Sequence, residues 1–447
     1  MSATTVGIER TPLESWIAGR LAVSAPALTR ENIAQYQLKA LEETIQWARN
    51  HSTFYAQHFQ DLRSDLPCSL HEMSLLPLTS PEDVVSRGHE FLCVSQDEIS
   101  RIVTLNSSGT SGPPKRIFFT AEDQELAVDF FGHGVAAMAS RGDRMLIALP
   151  GEREGSVGYQ LAKGISRAGV IPIPHGFSID TAETLEHMEQ ERATSIIGLP
   201  VQVLALARRD SALADRVFHR LRSIVLCSDH VPESIVDVLR QRSGVEVFEH
   251  YGSTEMGLAG GVDCEAHMGY HLRETDLYFE VISPETGESL PDGEMGEVVF
   301  TTLHHTGMPL IRFRTGDLSR FLPGPCGCGS IIRRLERVQN RIDGFVPLKV
   351  HGSISISALD EALFAIPQLL DFTASVILDS PFRMRVTVFA PGVGASPLIA
   401  AVRRALLEIP SIAQNCAMGE LEIDVIFADE AFPATGAKRK IEVHASR

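Results

Sequence analysis

No stretch of this chain is apolar for long enough to cross a bilayer, and residues 1–14 lack the basic head and apolar core of a secretory leader. Neither a membrane protein nor a secreted one is therefore expected. Basic residues are in deficit: 40 Lys and Arg stand against 57 Asp and Glu, a formal net charge of −17. Such a surface repels nucleic acid and anionic membrane, so a polyanionic ligand has to be met by a local positive site. Cysteine is sparse, at seven residues, and the odd number suits a reducing compartment better than a disulfide framework. The expected location is cytoplasmic. Internal repeats and low-complexity tracts are absent. So is a convincing Ser-His-Asp or Cys-His nucleophile.

What is present fits a globular enzyme. A 447-residue chain with 44% hydrophobic and 22% charged residues is longer than one core usually supports, so two or more domains are expected. Helix-period patterns run from about residue 12 to 60, and Ser80-Pro81-Glu82-Asp83 is a helix start. Thr120 is placed to cap a helix running to about Ser140. Strands are expected at 145–150, 170–173, 194–198, 223–227 and 245–248. Helices are expected between them at 158–168, 179–191 and 232–242. Repeated strand–helix alternation predicts a largely parallel sheet covered on both faces. After about residue 270 the pattern becomes strand–turn–strand, at 277–282 and 296–301, which predicts an antiparallel β subdomain. From residue 343 the helix at 359–365 and the strand at 383–389 predict a small α+β domain. The fold class read from these patterns is α/β: a large domain over 1–342 and a small one over 343–447.

Four motifs occur in order along the chain. Ser107-Ser108-Gly109-Thr110-Ser111-Gly112-Pro113-Pro114-Lys115 combines hydroxyls, tight-turning glycines and a terminal ammonium, a composition suited to phosphate oxygens. It is not a Walker A loop, because Gly109 and Gly112 are too close together and Arg116 follows the lysine. Tyr251-Gly252-Ser253-Thr254-Glu255 follows a predicted strand, where open α/β sheets place their ligands. There a hydroxyl can reach phosphate and a carboxylate can hold Mg²⁺. Arg312-Phe313-Arg314-Thr315-Gly316-Asp317 comes third, its aspartate suited to a ribose diol. Arg341-Ile342-Asp343-Gly344 comes fourth, with Lys438-Arg439-Lys440 near the C-terminus. Taken singly, each is as readily a surface turn or a solvated basic end.

Together the set resembles the adenylate-forming superfamily of acyl-CoA synthetases, adenylation domains and luciferases, and within it the phenylacetate–CoA ligase-like branch. The resemblance covers the chain from about residue 70 onward. It implies ATP, Mg²⁺, CoA and a small aryl or related carboxylic acid as ligands, with no nucleic acid and no membrane as partner. Ser107, Ser108, Gly109, Thr110 and Ser111 would then hold the outer phosphates of ATP, with Lys115 at the end of the loop. Thr254 would touch the α-phosphate, Glu255 would carry Mg²⁺, Tyr251 would stack near the adenine, and Gly252 would belong to the same nucleotide site. Asp317 would hold the ribose, helped by Arg341, and Asp343 would be the hinge of a mobile C-terminal domain. Lys438 would be the catalytic lysine of adenylation. The usual Gly-Lys is replaced here by Gly436-Ala437-Lys438-Arg439-Lys440, so Lys440 is its rival.

This chemistry needs no protein nucleophile. A carboxylate attacks phosphorus unaided once charge is neutralised and the groups are in line, and pyrophosphate leaves. A thiol then displaces AMP. Transfer to an amine or a carrier protein is the alternative, and an idle nucleotide-binding scaffold is a third reading. A second signal is a set of soft donors. Cys264, His271, Cys326 and Cys328 suit a closed structural Zn²⁺ site, with His267 as the other candidate imidazole; the alternative is unrelated reduced thiols in loops. His133 and His250 are further candidates beside the acyl group. Cys68, Cys93, Cys227 and Cys416 are read as inert.

Overall fold

The computed structural model describes residues 11, 13–62, 67–105, 114–178, 180–392, 394–428, 430, 432 and 438–445. They fall into two compact units, each built from separated stretches of chain. One comprises Met1–Gly142, Gly151–Ile171 and Phe248–Val338; the other comprises Asp143–Pro150, Pro172–Val247 and Gln339–Arg447.

In the first unit the long helix Arg30–His51 starts where the Thr29 hydroxyl accepts the Asn32 N–H at 3.1 Å. Its buried residues Ile33, Gln37, Ala40, Leu41, Thr44, Ile45 and Ala48 recur every three or four positions, the stripe of an amphipathic helix. The helix Pro81–Arg87 begins with a reciprocal capping box between Ser80 and Asp83, as its sequence predicts. Strands Arg101–Leu105 and Lys115–Phe119 pair antiparallel, with Leu105 opposite Lys115 at the open end. Thr120 and Asp123 cap the helix Ala121–Gly134 in the same reciprocal way. That helix meets Val157–Arg167 at two glycines: a Cβ on Gly164 would lie 2.6 Å from the Val128 carbonyl oxygen, so the two backbones touch there. The predicted β subdomain is an antiparallel sheet of Leu277–Ile282, Gly296–Thr302 and Phe313–Ser319. Its inward residues Phe279, Val281, Val298, Phe300 and Phe313 share a core with Leu41, Tyr55, Met73 and Phe91.

In the second unit, strands Arg144–Ala148, Ser195–Gly198 and Ser223–Leu226 run parallel. The latter two are buried along their whole length, as a sheet covered on both faces requires. Helices Thr181–Gln190 and Glu233–Ser243 lie where the alternation predicts them. Pro200–Ala207 and Ala212–Arg220 are additional helices that the sequence reading passed over. The C-terminal stretch forms a four-stranded sheet. Asp371–Leu378 pairs antiparallel with Phe382–Phe389, Ile441–Ala445 runs parallel to the former, and Leu421–Phe427 runs parallel to the latter. One core joins this stretch to the parallel strands: Val203, Leu204, Phe218 and Leu239 cluster with Leu359, Phe364, Phe372 and Val386.

The fold is α/β with a β subdomain and a C-terminal α+β element, as expected. The compact units follow different lines from the 1–342 and 343–447 division, because residues 143–150 and 172–247 pack with 339–447. Division at residue 343 rests on an expected motion of the C-terminal part, which is a proposal taken up below. Among the described residues no helix is long and apolar enough to cross a membrane.

Candidate active site and metal centre

Tyr251 ends the strand Glu246–Tyr251, and the motif that follows it turns sharply. Gly252 permits that turn. A Cβ there would sit 2.3 Å from the Leu258 carbonyl oxygen, so a side chain is excluded by backbone. Thr254 is half-buried and Glu255 is buried within the turn. Lys115, 140 positions earlier in sequence, reaches the Glu255 carboxylate and forms an ion pair with it. Burial pushes the Glu255 carboxyl up, but the Lys115 ammonium outweighs it and leaves the group below its usual value. The site thus holds an ionised carboxylate and its counter-ion away from bulk water.

The third motif comes to the same place through the β subdomain. The pairing of Gly296–Thr302 with Phe313–Ser319 shifts register between Glu297 and Val299. Glu297 fills this irregularity: it accepts from the Arg314 guanidinium at 2.8 Å and from the Gly316 N–H at 3.0 Å. Thr315 donates to the Val298 carbonyl at 2.6 Å and accepts the Asp317 N–H at 3.0 Å. Asp317 is buried as a result, and its Oδ2 accepts the Tyr251 hydroxyl at 3.0 Å. Tyr251 also stacks on Tyr270, with ring centroids 5.6 Å apart and planes 19° apart. The structure therefore brings together Tyr251, Gly252, Asp317, Glu255 and Lys115. Arg312, from the same motif, lies buried against Glu280 and the carbonyls of Ser74 and Leu76, which is a structural role. Ser107, Ser108, Gly109, Thr110 and Ser111 lie outside the described residues.

The fourth motif lies in the second unit. Arg341 contacts Asp343 at 3.3 Å in an exposed turn, Ile342–Gly344. Lys438 and Lys440 are exposed on either side of Arg439, which is drawn inward. His133 packs against Trp16 and Asp129 with half its surface exposed. His250 is half-buried, and desolvation together with Arg273 pushes its imidazole down to about 4, so it is neutral near pH 7. Of the thiols read as inert, Cys93 and Cys227 are buried and Cys68 is exposed.

The soft donors converge. One ligand atom each from Cys264, His271, Cys326 and Cys328 lies within 4.8 Å of all the others, and all four residues are buried. Cys264 Sγ is 3.6 Å from Cys326 Sγ, and Cys328 Sγ is 3.4 Å from His271 Nε2. These gaps are far too long for a disulfide. They match the separation of about 3.7 Å between thiolates on a tetrahedral zinc with bonds of about 2.3 Å. His267 takes no part, because its Nδ1 is bonded to Asp263 at 2.6 Å.

Comparison with known proteins fits this geometry. The AMP-binding enzyme family profile matches residues 75–306, just over half of the chain. The chain belongs to the AMP-binding enzymes. Phenylacetate–coenzyme A ligase of Pseudomonas putida is 28% identical over 349 residues, 75% of this chain and 76% of the relative. The Thermus thermophilus enzyme of the same name is 27% identical over 354 residues, 77% of this chain and 78% of that one. The fold matches that of a 2-hydroxyisobutyryl-CoA ligase solved in the postadenylation state, with a TM-score of 0.74, 20% identity, and coverage of 93% of this chain and 90% of the other. This AMP-binding enzyme stands in the phenylacetate–CoA ligase-like branch of the adenylate-forming superfamily, and its class is that of the AMP-forming acid–thiol ligases.

Proposed function

We propose that the protein joins a small aryl or related carboxylic acid to CoA in two steps at the Tyr251–Asp317 and Lys115–Glu255 site. The observation that carries this reading is the convergence of Lys115, Glu255, Tyr251 and Asp317, which lie far apart in sequence. Tyr251 and Gly252 line the adenine and Asp317 takes the ribose diol, with Arg341 assisting. Lys115 and the hydroxyls of residues 107–111 hold the outer phosphates, and Thr254 donates to the α-phosphate. Glu255 already carries a negative charge and a cationic partner, so its hard oxygen suits Mg²⁺, which when bound neutralises phosphate charge. In the first step the acid's carboxylate oxygen bonds to the α-phosphorus and the bond to pyrophosphate breaks. In the second a thiolate bonds to the acyl carbon and AMP leaves. Lys438 is assigned to the charge developing in the first step. The domain over 343–447 then moves about Asp343, whose exposed turn leaves room for a change of backbone.

Cys264, His271, Cys326 and Cys328 would hold one structural Zn²⁺, a closed set that ties two loops together and leaves no open coordination position. The acid is the finer question, and the relatives' names support a phenylacetate-like one. Pyrophosphate release is measured with a panel of aryl and short aliphatic acids, with and without CoA. Acid-dependent release together with CoA-dependent thioester is the expected result. Acid-dependent release without thioester would redirect the second step to an amine or carrier protein, and no release with any acid would overturn the proposal.

A further inference from the structure

Arg439 sits in a setting unlike that of the exposed lysines beside it, and all of its partners lie in the second unit. Its Nη1 donates to Asp371 Oδ1 at 2.6 Å, its Nε to Asp360 Oδ1 at 3.2 Å, and its Nη2 to the Phe372 carbonyl at 3.1 Å. The guanidinium lies over the rings of Phe364 and Phe372, 5.1 and 4.5 Å from their centroids. These partners all belong to the C-terminal stretch, so the side chain fixes the 438–440 segment to its own domain. The backbone does something different. The Arg439 N–H donates at 3.1 Å to Asp229 Oδ2, on the loop after the parallel strand Ser223–Leu226, far outside residues 343–447.

Two more polar links join the same parts. Glu361 accepts the N–H groups of Glu233 and Ser234 at 2.7 and 3.0 Å, where the helix Glu233–Ser243 begins. The Arg208 guanidinium bonds the Phe364 and Leu369 carbonyls. The contact made by Asp229 differs from the other two in touching the lysine segment itself.

We propose that Arg439 is the positioning residue for the adenylation lysine: its side chain sets the 438–440 segment, and its N–H contact to Asp229 latches that segment for the first half-reaction and releases it for the second. The proposal rests on the reading of a lysine in this segment as the adenylation lysine. With Arg439 turned inward and clamped at three points, Lys438 and Lys440 are held outward, and a shift of about 1 Å in such a group costs on the order of 100-fold in rate.

The test uses the full-length protein with phenylacetate as probe acid. Arg439→Met, Arg439→Lys and Asp229→Ala are each assayed for acid-dependent pyrophosphate release and for thioester formation from CoA and supplied phenylacetyl adenylate. Arg439→Met should lose pyrophosphate release by on the order of 100-fold, with partial recovery in Arg439→Lys, while thioester formation from the supplied adenylate persists. Asp229→Ala should show the same selective loss to a smaller degree. Undiminished pyrophosphate release in Arg439→Met, or equal loss of both half-reactions in Asp229→Ala, overturns the proposal. Asp229 is only half-buried, so its variant decides the matter even if Arg439→Met fails to fold. Lys438→Ala and Lys440→Ala serve as controls: if neither loses pyrophosphate release, the lysine assignment itself has failed. If one does while the Arg439 and Asp229 variants do not, only the latch has.

Discussion

Glu255 and Lys115 neutralise each other in the structure, and on the proposed reading ATP would bring its phosphates to Lys115 and Mg²⁺ to Glu255. Glu255→Gln keeps the shape and the hydrogen-bonding oxygen but removes the charge. It should cut acid-dependent pyrophosphate release by on the order of 100-fold and raise the magnesium concentration needed for half-maximal rate. Steady-state assays across a magnesium series check this, and an unchanged magnesium dependence would remove Glu255 from the metal's shell. Asp360 allows a prediction from pH. Burial pushes its carboxyl from 3.8 up to about 7, against the opposing pull of Arg439, with Asp229 and Asp371 adding to the rise. Its Oδ2 is buried with no hydrogen-bond partner. Between those two values the folded protein keeps a proton that the unfolded chain has lost. The stabilising contribution of Asp360 is thus complete below pH 3.8 and falls away as pH rises towards 7. Asp360→Asn imitates the protonated acid and still accepts from Arg439. Its melting temperature relative to the parent protein should climb between about pH 4 and about pH 7 and level off above that, as thermal melts would show. A difference that stays constant with pH would contradict the assignment.

At the scale of elements, the cluster of soft donors brings Cys264 and His271, the latter on the strand Tyr270–Leu272, together with Cys326 and Cys328, about sixty positions later in sequence. Protein prepared without added zinc should contain about one zinc per chain by elemental analysis. Cys326→Ser should lose it, with a lower melting temperature and little change in the half-reactions of the enzyme that remains folded. A full melting temperature in zinc-free protein would remove the metal's structural role. Much of this level was legible in the sequence. Strand–helix alternation, the caps at Ser80 and Thr120 and the β subdomain follow from period and turn chemistry, which are local. The soft donors were legible as a set because thiolates and imidazole have few other uses in that combination, and the fold puts His271 beside the thiols while His267 is bonded to Asp263. What stayed hidden depends on long-range packing. Pro200–Ala207 and Ala212–Arg220 were passed over between the strands. Glu297, which shapes the strand before Asp317, carries no motif. Arg439 in a Lys-Arg-Lys run reads as a solvated end, and only the approach of Asp360 and Asp371 shows it to be half-buried and paired.

For the whole molecule, the proposed function raises the question of how one chain would perform two reactions that place opposite demands on a single site. Adenylation calls for a cation at the α-phosphate. Thioester formation calls for space through which a thiol can enter. A lysine on a segment that can leave meets both demands, whereas a lysine on the rigid strands around Tyr251 would serve the first and obstruct the second. Lys438 and Lys440 both project outward beside the clamped Arg439, and each is near enough in sequence to be the one used. The Gly436-Ala437-Lys438 spacing favours Lys438, one position from where Gly-Lys would put it. Lys438→Ala should therefore reduce pyrophosphate release by on the order of 100- to 1,000-fold while thioester formation from supplied acyl adenylate continues near the parent rate. Lys440→Ala should affect both steps only slightly. If the selective loss appears in Lys440→Ala instead, the roles are exchanged and the segment is offset by two residues. If Lys438→Ala slows both half-reactions equally, the lysine acts on the fold, and the first reaction draws its positive charge from residues around Glu255 alone.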